Sequence, residues 1–287
     1  MNYALDALWW RLTNPQVRDL ASLLTAPALW HSGCELSVRQ LLGEQGFRFL
    51  LALDERPQPL QQFLATHQPY GQRLGIYAEH LLCFWFSHAP HTRLLAHNLP
   101  VMDENNKQTL GALDFVAELD EQIYHIELAC KYYGDAAGVP ERMCGLNQAD
   151  CLTDKAAKLS KQLAWSAQAA GKEVLAHIGV EHIQSASIVR GIGFSTQTKF
   201  TAQPLNQYAW AGEYVCNWDE AKLLCGTQQN VYLLPRMNLL APARVQTSQL
   251  TAWQELILLD KALVAVVEKR PDGYWHEIQR IMMRKAT

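Results

Sequence analysis

Asp114 and Glu127 have the types and spacing that point most directly to chemistry. They lie in TLGALDFVAELDEQIYHIELACKYYG, residues 109–134. From 122 to 132 the chain alternates. Tyr124, Ile126, Leu128, Cys130 and Tyr132 fall on one side, and His125, Glu127, Ala129 and Lys131 on the other. Period two with β-branched and aromatic residues predicts a strand. Leu110 to Leu119 alternates as well, with Leu113, Phe115, Ala117 and Leu119 opposite Ala112, Asp114, Val116 and Glu118. If Asp120-Glu121 closes a hairpin, Leu119 opposes Gln122 and Asp114 comes to oppose Glu127. Asp-Glu is not a favoured two-residue turn, and a three-residue loop would slip the register and separate the two acids. Like charges directly opposed across a sheet are destabilising. Such a pair implies a proton or a cation between the carboxylates.

Other groups belong to the same chemistry. Gly71 to Ser87 predicts a buried helix, apolar nearly all round, in which Glu79 and His80 are the ionisable residues between Arg73 and His88. A buried Glu79 needs a cation or an ion pair, an arginine from another element being the plain alternative. Lys131 shares the Glu127 face. Thr153 is placed as the cap of a helix running to Ala170 and ended by Gly171, with Lys155, Lys158 and Gln162 on one face. Asp114, Glu127 and Glu79, with the Leu128 carbonyl, suit a hard divalent ion. Lys131 would position water or offset phosphate charge, and Lys155, Lys158 and Gln162 would hold a phosphate backbone.

The surrounding pattern sets the frame. Residues 1–70 read as helices, one starting at Asn14-Pro15 with Val17, Leu20, Leu23 and Leu24 as its stripe, and another from Leu60 to His67. Strands are expected at Leu99 to Asp103, in the hairpin, at Ala186 to Phe194 and at 231–235, with a further segment from Tyr214 to Trp218. Gly134 to Ala149 reads as a loop. The C-terminal part is expected to be helical from about Ser248, with a second helix from Gly273 to Met283. Helix, strand, strand, strand, helix, strand predicts an α/β layer with a mixed sheet.

The chain has 287 residues, 49% of them hydrophobic and 18% charged, which implies a globular protein. Its formal net charge of −3 excludes a generally basic nucleic-acid coat, so any such contact must come from a local patch. Seven cysteines without a C-x-x-C pair point to reduced thiols and a cytoplasmic home. The N-terminal MNYALDALWWRLTNPQ lacks a signal-peptide pattern. Leu256 to Val267, interrupted by Asp260 and Lys261, is too short and too charged to span a bilayer. No zinc-type histidine spacing, glycine-rich phosphate loop or serine-nucleophile elbow occurs. Gly191-Ile192-Gly193 reads as closely packed strand, and Cys130 as core.

A helical glutamate, a strand aspartate, then Glu and Lys on the next strand resemble the PD-(D/E)XK nuclease superfamily. The segments PQVRDLASLL (15–24), RLGIYAEHLLCFWF (73–86), GALDFV (111–116), YHIELACKYYG (124–134), KLSKQLAWS (158–166) and VYLLPRMNLLAP (231–242) resemble a bacterial family called domain of unknown function 1853, placed in that superfamily. The resemblance implies a restriction-endonuclease-like αβββαβ core at 71–195, with a helical N-terminal extension at 1–70 and a mixed C-terminal extension at 196–287 packed on it in one compact domain. It gives Glu79, Asp114 and Glu127 the acidic roles, Gln162 the polar role on the following helix, and magnesium or manganese as the ion. The usual lysine position holds Ala129. Lys131 lies two residues further, about 13 Å along an extended strand from Glu127, so either Lys131 reaches back or Lys155 or Lys158 takes the role. The implied function is magnesium-dependent hydrolysis of DNA or RNA. The alternative is an inactive fold relative acting as a binding or scaffold protein.

Overall fold

The structure is a computed structural model that describes residues 11–102, 108–197, 200–226 and 230–285. The start of the N-terminal segment judged not to be a signal peptide, residues 1–10, and Asp103 lie outside the described residues.

Among the described residues, nine strands form one mixed sheet in the order β1-β2-β3-β4-β5-β9-β8-β6, with β7 paired to β9. They are β1 (Thr92–Met102), β2 (Thr109–Leu119), β3 (Gln122–Gly134), β4 (Gln184–Ser195), β5 (Trp210–Val215), β6 (Val231–Leu233), β7 (Arg244–Val245), β8 (Lys261–Lys269) and β9 (Trp275–Arg284). The centre is parallel: β3 with β4, β4 with β5, and β5 with β9. The flanks are antiparallel. The helices are α1 (Pro15–Thr25), α2 (Val38–Leu42), α3 (Gly46–Glu55), α4 (Gln58–Ala65), α5 (Leu74–His88), α6 (Leu152–Leu163), α7 (Ala169–His177), α8 (Trp218–Cys225) and α9 (Trp253–Leu256).

The order α5-β1-β2-β3-α6-α7-β4 follows the helix, strand, strand, strand, helix, strand order that the sequence predicts except for an added helix, α7, before β4. Asn14 caps α1, its side chain accepting from the N–H groups of Gln16 and Val17, with Pro15 at the first position. The helix α5 is buried along most of its length between α1 and the sheet because its apolar residues run almost all round. Ala129, Tyr133 and Val189 on the opposite sheet face pack on Leu152, Leu159 and Leu163 of α6. Helices cover both faces, so the parallel strands can be continuously apolar.

Several expectations need correction. Thr153 does not cap α6; the helix begins at Leu152 after Cys151, which makes no side-chain cap bond. Nor does Gly171 end it. A 3₁₀ turn at Trp165–Ala167 intervenes, and Gly171 lies inside α7 because a Cβ there would fall 1.9 Å from the Trp165 carbonyl oxygen. The C-terminal region expected to be helical from Ser248 holds, among the described residues, a 3₁₀ turn at Thr247–Gln249 and the short α9, then β8. The segment expected to be a helix from Gly273 to Met283 is β9. ALVAVV (262–267) is rich in β-branched residues and buried on both faces, which favours a central strand. The strand expected at Leu99 starts earlier, at Thr92. The cysteines are not all reduced: Cys144 and Cys151 form a disulfide across an antiparallel bridge, leaving Cys34, Cys83, Cys130, Cys216 and Cys225 free. Absence of a C-x-x-C spacing excludes only a short-range pair; this one is joined by loop folding.

Candidate functional site

The hairpin forms in the expected register. Leu119 opposes Gln122, and pairing runs inward through Phe115 opposite Ile126. Asp120 and Glu121 both take positive φ, +46° and +67°, the geometry that a two-residue hairpin turn demands. The Asp120 N–H donates to the His91 carbonyl at 3.0 Å, which helps hold this unfavourable pair of residues in place.

The β2–β3 ladder stops just before Asp114 and Glu127. Both carboxylates take over bonds that the ladder would have made. Leu128 N–H donates to Asp114 Oδ2 at 2.9 Å, and Asp114 N–H to Glu127 Oε1 at 3.3 Å. On β1, Asn98 has φ +50° and falls between the paired residues that flank Asp114. Leu113 and Val116, expected on opposite faces, pack in one cluster with Leu175 and Val180. Alternation therefore breaks at Asp114, and Leu113 does not share the face of Phe115.

Glu127 is fully buried and held from three sides. His125 Nε2 lies 2.9 Å from Oε1, and Gln162 Nε2 donates to Oε2 at 2.7 Å. His125 Nδ1 lies 3.0 Å from Ser166 Oγ, which lies 3.0 Å from Ser185 Oγ. The Ser185 hydroxyl donates to the Leu163 carbonyl. Its single proton is thereby used, so Ser166 donates to Ser185 and His125 Nδ1–H donates to Ser166. Ser166, Ser185 and the ring of His125 thus fix Glu127 in place.

Asp114 is less constrained. No hydrogen bond reaches its Oδ1 among the described residues. Burial first, then the facing Glu127, raise its pKa from 3.8 to about 7; the Leu128 N–H and Lys155 act against this. Lys155 of α6 is pushed downward by its own burial, then by Lys131 and Lys158, while Asp114 and Glu127 oppose that shift. Lys155 is therefore the ammonium group whose field reaches both acids. Lys131 is tied at 2.6 Å to Asp150, which also accepts from the Tyr133 hydroxyl. Lys158 is exposed beyond them.

Glu79 comes near enough to raise the pKa of Asp114. Its carboxylate faces His97, 3.9 Å away, rather than an arginine, and is about a quarter exposed. Among the described residues, no three His, Cys, Asp or Glu side chains form a group able to hold a metal ion. The tight convergence of three acids expected from the sequence is thus replaced by a close pair, Asp114 and Glu127, with Glu79 at longer range. Oxygen donors remain beside the pair. Asp114 Oδ1 is open, the Leu128 carbonyl points to the same strand side as its N–H, and Gln162 Oε1 is buried without a partner. One lone-pair site of Glu127 is left after its three bonds.

Next to the pair lies a cleft of about 930 Å³. Leu128 and Ala129 form part of its wall, and Glu79, Lys131, Lys155 and Asp150 line it, whereas Asp114 and Glu127 are not among its lining residues. Asp150, Ser166, Ser185 and His97 escape a reading of the sequence. Asp150 acts from a loop, Ser166 from a 3₁₀ turn and Ser185 from the start of β4, where no periodic pattern marks them, and His97 from within β1.

A family described as "Domain of unknown function (DUF1853)" matches residues 18–283. The chain belongs to this family. No curated protein and no solved structure matches it. No helix among the described residues is long and apolar enough to cross a membrane.

Proposed function

We propose that this member of the DUF1853 family is a metal-dependent phosphodiesterase of the PD-(D/E)XK type acting on nucleic acid. The observation that carries the reading is the fork between β2 and β3. The ladder opens where Asp114 and Glu127 face each other, and Lys155 approaches both. Structural strands close their ladders; this one gives up pairing to keep two acids side by side.

The donor set suits a hard cation. Two carboxylates, a backbone carbonyl and an amide oxygen, completed by water, match the preference of magnesium or manganese for oxygen ligands with few protein carboxylates. Asp114 Oδ1, Glu127 Oε2, the Leu128 carbonyl and Gln162 Oε1 would hold the ion. When bound, it would lower the pKa of water and polarise a phosphoryl oxygen. Lys155, partly desolvated, would offset charge on the phosphate. Lys131 positions the loop through Asp150 rather than reaching back to the acids. Glu79 acts from the cleft wall through its field on Asp114.

A second reading keeps a specific observation on its side. Glu127 is already bonded to three protein groups, the Asp114 N–H, His125 Nε2 and the Gln162 amide, without any ion, as befits a binding or scaffold relative of nuclease-like fold. Manganese titration with thermal unfolding separates the two. The phosphodiesterase reading expects a melting-temperature rise in wild type and none in Asp114→Asn. It also expects cleavage of labelled single- or double-stranded substrates that Glu127→Gln abolishes. No metal response, with no cleavage, would leave the binding reading in place.

A further inference from the structure

The cleft beside Asp114 combines an apolar floor with cations. Leu74, Leu146, Leu239 and Leu263 supply apolar surface, and Arg73, Lys155, Arg236 and Lys261 supply positive charge. Arg73 and Arg236 come from different elements, the start of α5 and the turn after β6, and both are exposed. Neither guanidinium has a hydrogen bond or ion pair among the described residues. Lys131 and Lys261 are already engaged, with Asp150 and the Leu146 carbonyl. At about 930 Å³ the space is at the upper end of the range for ligand pockets.

We propose that this cleft takes a single nucleic-acid strand, not a duplex, with unstacked bases against the leucines and phosphates at Arg73, Lys155 and Arg236. The proposal rests on the phosphodiesterase reading of Asp114 and Glu127. A duplex stacks its bases inside and offers only phosphates and groove edges to a protein, so a leucine floor would stay unoccupied. A single strand carries apolar base faces on a charged backbone, and that mixture is what the cleft presents. The acids do not themselves line the cleft, and Glu127 is fully buried. A rigid duplex phosphate stays on the outside of its cylinder, whereas a flexible strand can bend its phosphate inward. A free mononucleotide would use only part of the volume and would not need two arginines from separate elements.

The test is fluorescence anisotropy with a short labelled single strand, its duplex, and an abasic strand of the same length, all with chelator so that binding is read without turnover. Wild type is compared with the double variant Arg73→Glu/Arg236→Glu; both positions are exposed, so the fold should survive, and circular dichroism checks it. The expected result is single-strand binding at least about tenfold tighter than duplex binding, weaker binding of the abasic strand, and at least about a tenfold loss in the double variant. Duplex binding as tight as single-strand binding, abasic binding equal to normal, insensitivity to the charge reversals, or no binding to any probe at low salt would each overturn the proposal. Wild type that binds the single strand as expected, yet shows neither a metal-dependent melting shift nor cleavage, would instead defeat the phosphodiesterase reading and leave the occupant of the cleft as argued.

Discussion

Replacing Asp114 by Asn removes a charge that the fold holds at a cost. The Asp114 carboxyl rises from its ordinary 3.8 to about 7, chiefly because it is buried and then because Glu127 faces it. For a carboxyl whose folded pKa is raised, the stability contribution is full below the unfolded value and is lost as pH climbs through the folded value. The window is therefore about pH 4 to 7. At about 1.4 kcal/mol per pH unit, the ionised form costs about 4 kcal/mol at most. Partial access to solvent brings the expected range to about 2–4 kcal/mol. Asn keeps an oxygen for the Leu128 N–H and puts an amide where Oδ1 has no partner. Without metal, Asp114→Asn should match wild type near pH 4 and exceed it by about 2–4 kcal/mol at pH 8, a gain of several degrees in melting temperature. Asp19, raised by burial to about 7 as well, titrates in both proteins and cancels in the difference. Urea denaturation across the pH range reads the effect. Magnesium at about a hundred times its dissociation constant should return about 2.7 kcal/mol to wild type at pH 8 and little at pH 5, where the proton holds the site. A difference that does not change with pH, or an Asn variant less stable at pH 8, would refute the account of the pair.

Three further outcomes can be measured. On the phosphodiesterase reading, Lys155→Ala should lower the rate of cleavage by about 100-fold, while Lys131→Ala, which loses only its tie to Asp150, should cost less than about tenfold; single-turnover cleavage separates them. His125→Ala takes one buried hydrogen-bond partner from Ser166 and one from Glu127 Oε1 and should destabilise by about 2–4 kcal/mol in chemical denaturation, with Ser166→Ala milder. Cys151→Ser opens the Cys144 bridge and should cost about 2 kcal/mol, given the short loop it closes; alkylation of unfolded, unreduced wild type should label five cysteines rather than seven.

The central layer was legible because its signals are local and strong. Alternation marked β2 and β3, the Asp120-Glu121 break fixed their register, and an all-round apolar run marked α5. The C-terminal strands were not, since ALVAVV lacks alternation and β9 is fixed not only by its neighbour β8 but by β5, far away in sequence. A continuous apolar run reads alike for a buried helix and a buried strand until its neighbours are known. The site divides in the same way. Asp114 opposite Glu127 follows from register, and Gln162 from helical spacing. The partners that decide each side chain's use, Asp150 for Lys131 and Ser166 for His125, come from the loop and turn around α6.

That division explains why the two acids are not equivalent. The sequence demanded a proton or a cation between them, and the fold answers separately for each. Glu127 is enclosed by His125, Gln162 and the Asp114 N–H, so its place is set by the protein. Asp114 accepts one N–H, faces Lys155 at longer range, and keeps an oxygen with no donor. On the phosphodiesterase reading, competition between proton and metal therefore falls on Asp114. Glu127→Gln should chiefly disturb the buried network and show as lost stability, whereas Asp114→Asn should leave the network standing and show as lost ion affinity.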